Sequence, residues 1–94
     1  FLKERFKIMP YIPLEDRIKF EGVREYGYKS LSVGELNYVF TQIILGYLEE
    51  KGINYSNLNG VIGALDCCKL ELYRQLVAPY EDIKEKKNGK VYFK

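Results

Sequence analysis

Histidine is absent from this 94-residue chain. No imidazole is at hand to activate a thiol, so a cysteine nucleophile lacks its usual base. No catalytic motif, metal-ligand set or phosphate-binding loop stands in the sequence either. Cysteine is scarce: Cys67 and Cys68 are the two, and they are adjacent. On a helix they point about 100° apart and cannot bridge each other. They read as small buried hydrophobes in a reducing compartment. No apolar run reaches the ~18 residues of a membrane span. The opening Phe-Leu-Lys-Glu-Arg-Phe-Lys is too charged for the apolar core of a signal peptide. The expectation is a cytoplasmic protein with no membrane partner.

An excess of one charge is also missing. Lys and Arg number 15 against 13 Asp and Glu, a net charge of +2. A nucleic-acid binder gathers its basic residues on one face. Here Lys84, Lys86, Lys87 and Lys90 alternate with Glu81, Asp82 and Glu85, a solvated and self-neutralising segment. Nucleic acid is therefore not an expected partner. The hydrophobic fraction of 47% and aromatic fraction of 15% exclude a disordered chain. The length sets one domain.

What is present is helical punctuation. Ser32 and Glu35 have the capping-box spacing, with Leu31 and Leu36 placed as a hydrophobic staple. Leu36, Val39, Phe40, Ile43, Tyr47 and Leu48 follow at three- and four-residue steps, and Ile44 and Leu45 widen the stripe. Gly52 suits a left-handed cap, with Ile53 folding back on Leu48. A second helix starts at Asn54 to Asn57, capped by Asn54 or Ser56. Its stripe is Leu58, Val61, Ile62, Leu65, Cys68, Leu72 and Leu76, flanked by Leu70, Tyr73 and Val77. Pro79 pushes the preceding residue out of the helical region and stops it. Gly60, Gly63, Ala64 and Cys67 make a small-residue face that asks for close packing by a neighbouring helix. The short connection makes the two helices antiparallel neighbours, each about 30 Å long at roughly 1.5 Å per residue.

The predicted architecture is all-α. An extended arm covers residues 1–13 and a short helix 14–25. Long helices cover 32–51 and 55–78, and a tail covers 79–94. Pro10 and Pro13 keep residues 9–13 extended. Glu15 and Asp16 favour the start of the short helix, and Gly22 weakens it. Residues 26–31 read as a loop. Pro79 could open a short helix in the tail, and Asn88-Gly89 is a turn signal. The chain begins with Phe1 and its one methionine is Met9. Either residues precede Phe1, or Met9 begins the natural protein.

A resemblance rests on Met9-Pro10-Tyr11-Ile12-Pro13, Glu15-Asp16-Arg17 and Gly34-Glu35-Leu36-Asn37-Tyr38. It continues through Gly63, Glu71-Leu72-Tyr73-Arg74, Pro79-Tyr80-Glu81-Asp82, and Asn88-Gly89 before Val91-Tyr92. Over residues 9–92 the chain resembles an uncharacterised family of small helical proteins of bacteria and their phages. The family carries an acidic residue where this chain has Lys90. The resemblance implies a small intracellular helical protein, phage-associated, and carries no established activity with it.

Three functions compete. A metal-dependent nucleotide pyrophosphohydrolase of the all-α kind needs carboxylates on facing helices. The carboxylates here do not fit: Glu49-Glu50 sits at a helix end, and Asp66 and Glu71 are five apart, on different faces. Glu21 and Glu25 lie on the weakest helix. The expectation leans away from an enzyme, with no catalytic residue, metal or cofactor assigned. A binding module would use Tyr73, Arg74, Tyr80, Glu81, Asp82 and Lys84, since Arg grips phosphate bidentately and Tyr stacks on a base. A sponge that sequesters a nucleotide immune signal is of this kind. The bland alternative pairs Arg74 with Glu71, uses Tyr80 to anchor the tail, and lets Glu81 and Asp82 cap the turn. The third reading is self-assembly. A short third helix leaves apolar surface over, with Ile44, Leu45, Leu70, Val77 and Tyr92 as candidate interface residues. A homo-oligomer is expected, with a host protein or nucleotide-type ligand as further partner.

Overall fold

The computed structural model describes residues 8–93. Residues 1–7 of the expected arm lie outside the described residues. Those described are all-α, with no strand among them. They divide into two compact units: Pro10–Ile62, and residues 63–93 with 8–9.

Ile8, which belongs with Met9 to the second unit, is helical, and the first unit opens on an irregular stretch from Pro10 to Pro13. The Ile12 N–H donates to the Pro10 carbonyl over 2.9 Å, a tight turn at Tyr11. The first short helix, α1, spans Leu14–Arg17 and tightens into a 3₁₀ turn over Ile18–Phe20. The expected helix to residue 25 thus ends at Phe20. Glu21 turns extended, and Gly22 takes φ of +93°, which a helix cannot continue. The expected loop at 26–31 contains a second 3₁₀ turn, Tyr28–Ser30.

The first long helix, α2, spans Val33–Lys51. Its capping box is complete. The Ser32 N–H donates to Glu35 Oε1 over 2.9 Å, and the Glu35 N–H donates to Ser32 Oγ over 3.1 Å. At the other end, the Gly52 N–H donates to the Leu48 carbonyl over 2.7 Å. Gly52 has φ of 99° and ψ of 149°, a region open to glycine alone. This is not the left-handed helical cap that the sequence suggested. Ile53 does not fold back on Leu48 but stands 76% exposed.

The reason lies in two asparagines. Asn54 Oδ1 accepts from the Asn57 N–H over 2.8 Å and caps the second long helix, α3, which spans Tyr55–Leu72. Asn57 Nδ2 donates to the carbonyls of Lys51 at 3.0 Å and Gly52 at 2.9 Å. Carbonyls left over at the end of α2 are therefore met by a side-chain amide. The backbone has no need of the Schellman arrangement.

The glycines of α3 are loosely surrounded. A Cβ added at Gly60 would meet no described heavy atom within 4 Å, and one at Gly63 would lie 3.4 Å from Ile8 Cδ1. The close neighbour of Gly63 among the described residues is the side chain of Ile8, itself a helical residue.

In the second unit, α3 does not stop at Pro79. It widens into a π turn over Tyr73–Val77 and resumes as α4, Ala78–Asn88, with Pro79 in the first turn. In an unbroken helix the proline ring would clash with the carbonyl of Gln75, and its missing N–H would orphan that carbonyl. The π turn shifts the ladder, with the Ala78 N–H bonding to the Tyr73 carbonyl, so the chain passes the proline as a helix. The expected tail of 79–94 is thus helical to Asn88. Gly89 ends α4 as Gly52 ends α2, with φ of 98° and ψ of 153°.

The core is small. Leu48 and Cys67 are the buried apolar residues among those described, 6% and 4% exposed. Val39, Ile44 and Val61 are half-buried. The residues expected to face inward from α2 are largely outward: Phe40, Ile43 and Tyr47 are all exposed.

Candidate functional site

The expected binding residues straddle the π turn. Tyr73 opens it, and its hydroxyl donates to Glu81 Oε1 over 2.9 Å. Eight residues of α-helix make two turns and most of a further quarter turn. The wider π turn takes up that excess, which sets Tyr73 and Glu81 on one face. The hydrogen bond to Glu81 and its negative charge raise the Tyr73 hydroxyl above the usual tyrosine range. Both effects favour the neutral phenol.

This pair borders a cleft of about 480 Å³ within the second unit. Tyr73, Glu81, Asp82 and Lys84 line it, joined by Glu85, Asn88, Gly89, Val91 and Tyr92. Gly89 turns the chain after α4 so that Tyr92 reaches the rim. Four of the six expected binding residues are thus brought together. Arg74 and Tyr80 are not. Arg74 Nη2 pairs with Glu71 Oε2 at 3.3 Å, and the Glu71 side chain is largely covered, 15% exposed. Tyr80 instead takes the Lys84 ammonium over its ring, 5.7 Å from the centroid. Sequence reasoning missed Glu85, Asn88 and Gly89, whose Asn-Gly turn was the available signal.

The chemistry of the cleft is that of carboxylates. Glu81, Asp82 and Glu85 outnumber Lys84, so a phosphate entering it would meet net negative charge. The cleft can accept hydrogen bonds and present two tyrosine rings, but it offers no grip for a phosphate comparable to Arg74. The residues weighed for hydrolysis stay apart from it. Asp66 pairs with Lys69 at 3.1 Å on the surface of α3. Among the described residues, no group of three or more Cys, Asp or Glu side chains could hold a metal ion. A second hollow, about 370 Å³, lies in the first unit between Arg17, Phe20 and Arg24, with Glu21 and Glu25 beside them. There Arg17 Nε is occupied by the Ile12 carbonyl at 2.8 Å.

The expected interface residues are divided. Leu45, Leu70 and Tyr92 are exposed, at 46%, 45% and 85%. Ile44 and Val77 are half-buried. No helix among the described residues is long and apolar enough to cross a membrane.

No curated protein and no solved structure matches this chain. A family model does, over residues 9–91. It covers the capped helices, the π turn and most of the cleft, and the chain belongs to that family, described as a domain of unknown function (DUF6899).

Proposed function

We propose that this chain is a non-catalytic assembly and binding protein that works as a self-associated helical oligomer. One observation carries the reading. Among the described residues two form the buried apolar core, while both long helices turn Leu, Ile, Phe and Tyr side chains to solvent. A protein in water rarely leaves so many large apolar side chains exposed without a partner for them. The ordering of each helix also costs conformational entropy that so small a core does not offset. A second copy supplies matching apolar faces, and the near balance of charge raises no barrier to like meeting like. Sedimentation or light scattering at micromolar concentration tests this. An oligomer supports the reading, and a folded monomer overturns it.

A nucleotide-type ligand, with the protein as a sponge for an immune signal, is the alternative. Its favourable feature is the concave site with Tyr73 and Tyr92. The carboxylates there and the removal of Arg74 to Glu71 weigh against a phosphate. Thermal-shift and intact-mass screening against nucleotides and cyclic dinucleotides separates the two. A melting rise with recovered, unchanged ligand favours the sponge. Conversion of the ligand in Mg²⁺ would restore the hydrolase. A phage setting and a host-protein partner rest on the sequence resemblance, and a map of neighbouring genes tests them.

A further inference from the structure

Tyr73 and Glu81 are eight residues apart, yet a hydrogen bond of 2.9 Å joins them. In an unbroken α-helix the residue seven positions on falls within about 20° of the first, and the eighth lies about 80° away. The π turn over Tyr73–Val77 takes one residue more than an α turn would. Glu81 therefore stands where a seventh residue would. Glu85 and Asn88, twelve and fifteen positions on, stand where an eleventh and a fourteenth would, within about 40° of Tyr73. All three line the cleft, and so do Asp82 and Lys84, which fall about 80° to either side. Had residues 73–88 formed one α-helix, the same three places would belong to Tyr80, Lys84 and Lys87. That register exchanges two carboxylates for two ammonium groups.

Pro79 separates the two registers. In the α register its ring would press on the Gln75 carbonyl. The π turn is otherwise the rarer geometry, and the Tyr73–Glu81 hydrogen bond is exposed, so by itself it contributes little toward holding that turn. We propose that Pro79 sets the sign of the charge beneath Tyr73: by holding the π register, it turns Glu81 and Glu85 toward the cleft in place of Lys84 and Lys87, and so bars phosphate-bearing ligands from this face. Pro79 is a positioning residue in this account. It touches no ligand and acts through the rotation of α4. The inference does not depend on self-association.

Pro79→Ala tests it, read by NMR and by an anionic probe. Alanine favours helix, so the variant should stay helical. Couplings through the hydrogen bond should link the Ala78 amide to the Tyr73 carbonyl in the wild type. In the variant they should link it to the Arg74 carbonyl, the α spacing. Inorganic pyrophosphate should then bind the variant about tenfold or more tighter than the wild type, with shifts at Lys84 and Lys87. A variant that keeps the Tyr73 pairing would overturn the proposal, as would a change of register with no gain in pyrophosphate binding. Pyrophosphate bound beneath Tyr73 in the wild type would overturn it as well. Glu81→Gln supplies a second test should the first variant fail to fold. It removes the hydrogen bond and keeps the proline, so Ala78 should stay paired with Tyr73. A shift of that pairing to Arg74 would make the hydrogen bond, and not Pro79, the lock.

Discussion

Asn57 holds two carbonyls at the end of α2, whereas Phe40 and Ile43, a few turns upstream, stand 47% and 64% exposed. The turn and the helix side differ in what they need. Polar groups at a helix end want a hydrogen bond, and a residue three to six positions away can give it. An apolar face wants area, which few local residues can offer. The chain completes its ends internally and leaves much of its helix sides exposed, the surface that the proposed assembly would cover. Stability of the helix ends and stability of the oligomer are therefore separable, and substitutions should sort them.

Gly52→Ala should break the turn hardest. Its φ of 99° with ψ of 149° is essentially closed to any side chain, and the strain is expected to cost roughly 2 kcal/mol or more. Urea unfolding at fixed protein concentration reads it. Asn57→Ala should follow, at about 1–2 kcal/mol, because it strips the amide from both carbonyls. A loss no larger than that of an ordinary surface change would show that water replaces the amide. Ser32→Ala removes the capping box and should cost about 1 kcal/mol. Far-ultraviolet circular dichroism through the transition locates the loss in α2. In all three, the subunit count should be unchanged under native conditions.

Gly60→Ala sharpens the comparison from the other side. Nothing described stands within 4 Å of the added Cβ, so helix propensity alone should raise stability by up to about 1 kcal/mol. Loss of the oligomer on this change would place the glycine face in the interface. The smallest effect is electrostatic. Glu81→Gln should let the Tyr73 hydroxyl fall back toward the ordinary tyrosine range, read by the ring carbon shifts in an NMR titration. Because the folded value is raised, the contribution of this pair is complete below pH 10. It is lost as pH climbs through the higher folded value.

The ends of α2 were legible because a cap is written in neighbouring letters: Ser32, Glu35 and Gly52 sufficed to place Val33–Lys51. Asn57 was not, because its amide reaches back six residues to Lys51. Pro79 read as a stop because the rule for proline assumes an α-helix ahead of it. The π turn over Tyr73–Val77 has no signature in composition or periodicity. The same turn explains the divided site. It rotates Tyr73 toward Glu81, Asp82 and Lys84 around the cleft, while Arg74 turns to Glu71. Periodicity identified Phe40, Ile43 and Tyr47 as one face, but periodicity marks only that a face is apolar. Whether its partner lies in the same chain depends on tertiary approach, which no local pattern encodes.

Sedimentation velocity on the wild-type chain across the micromolar range tests the central claim most directly. The account predicts an oligomer that dissociates on dilution, with loss of helix as it does so. A helical monomer that keeps its fold at every concentration would contradict it.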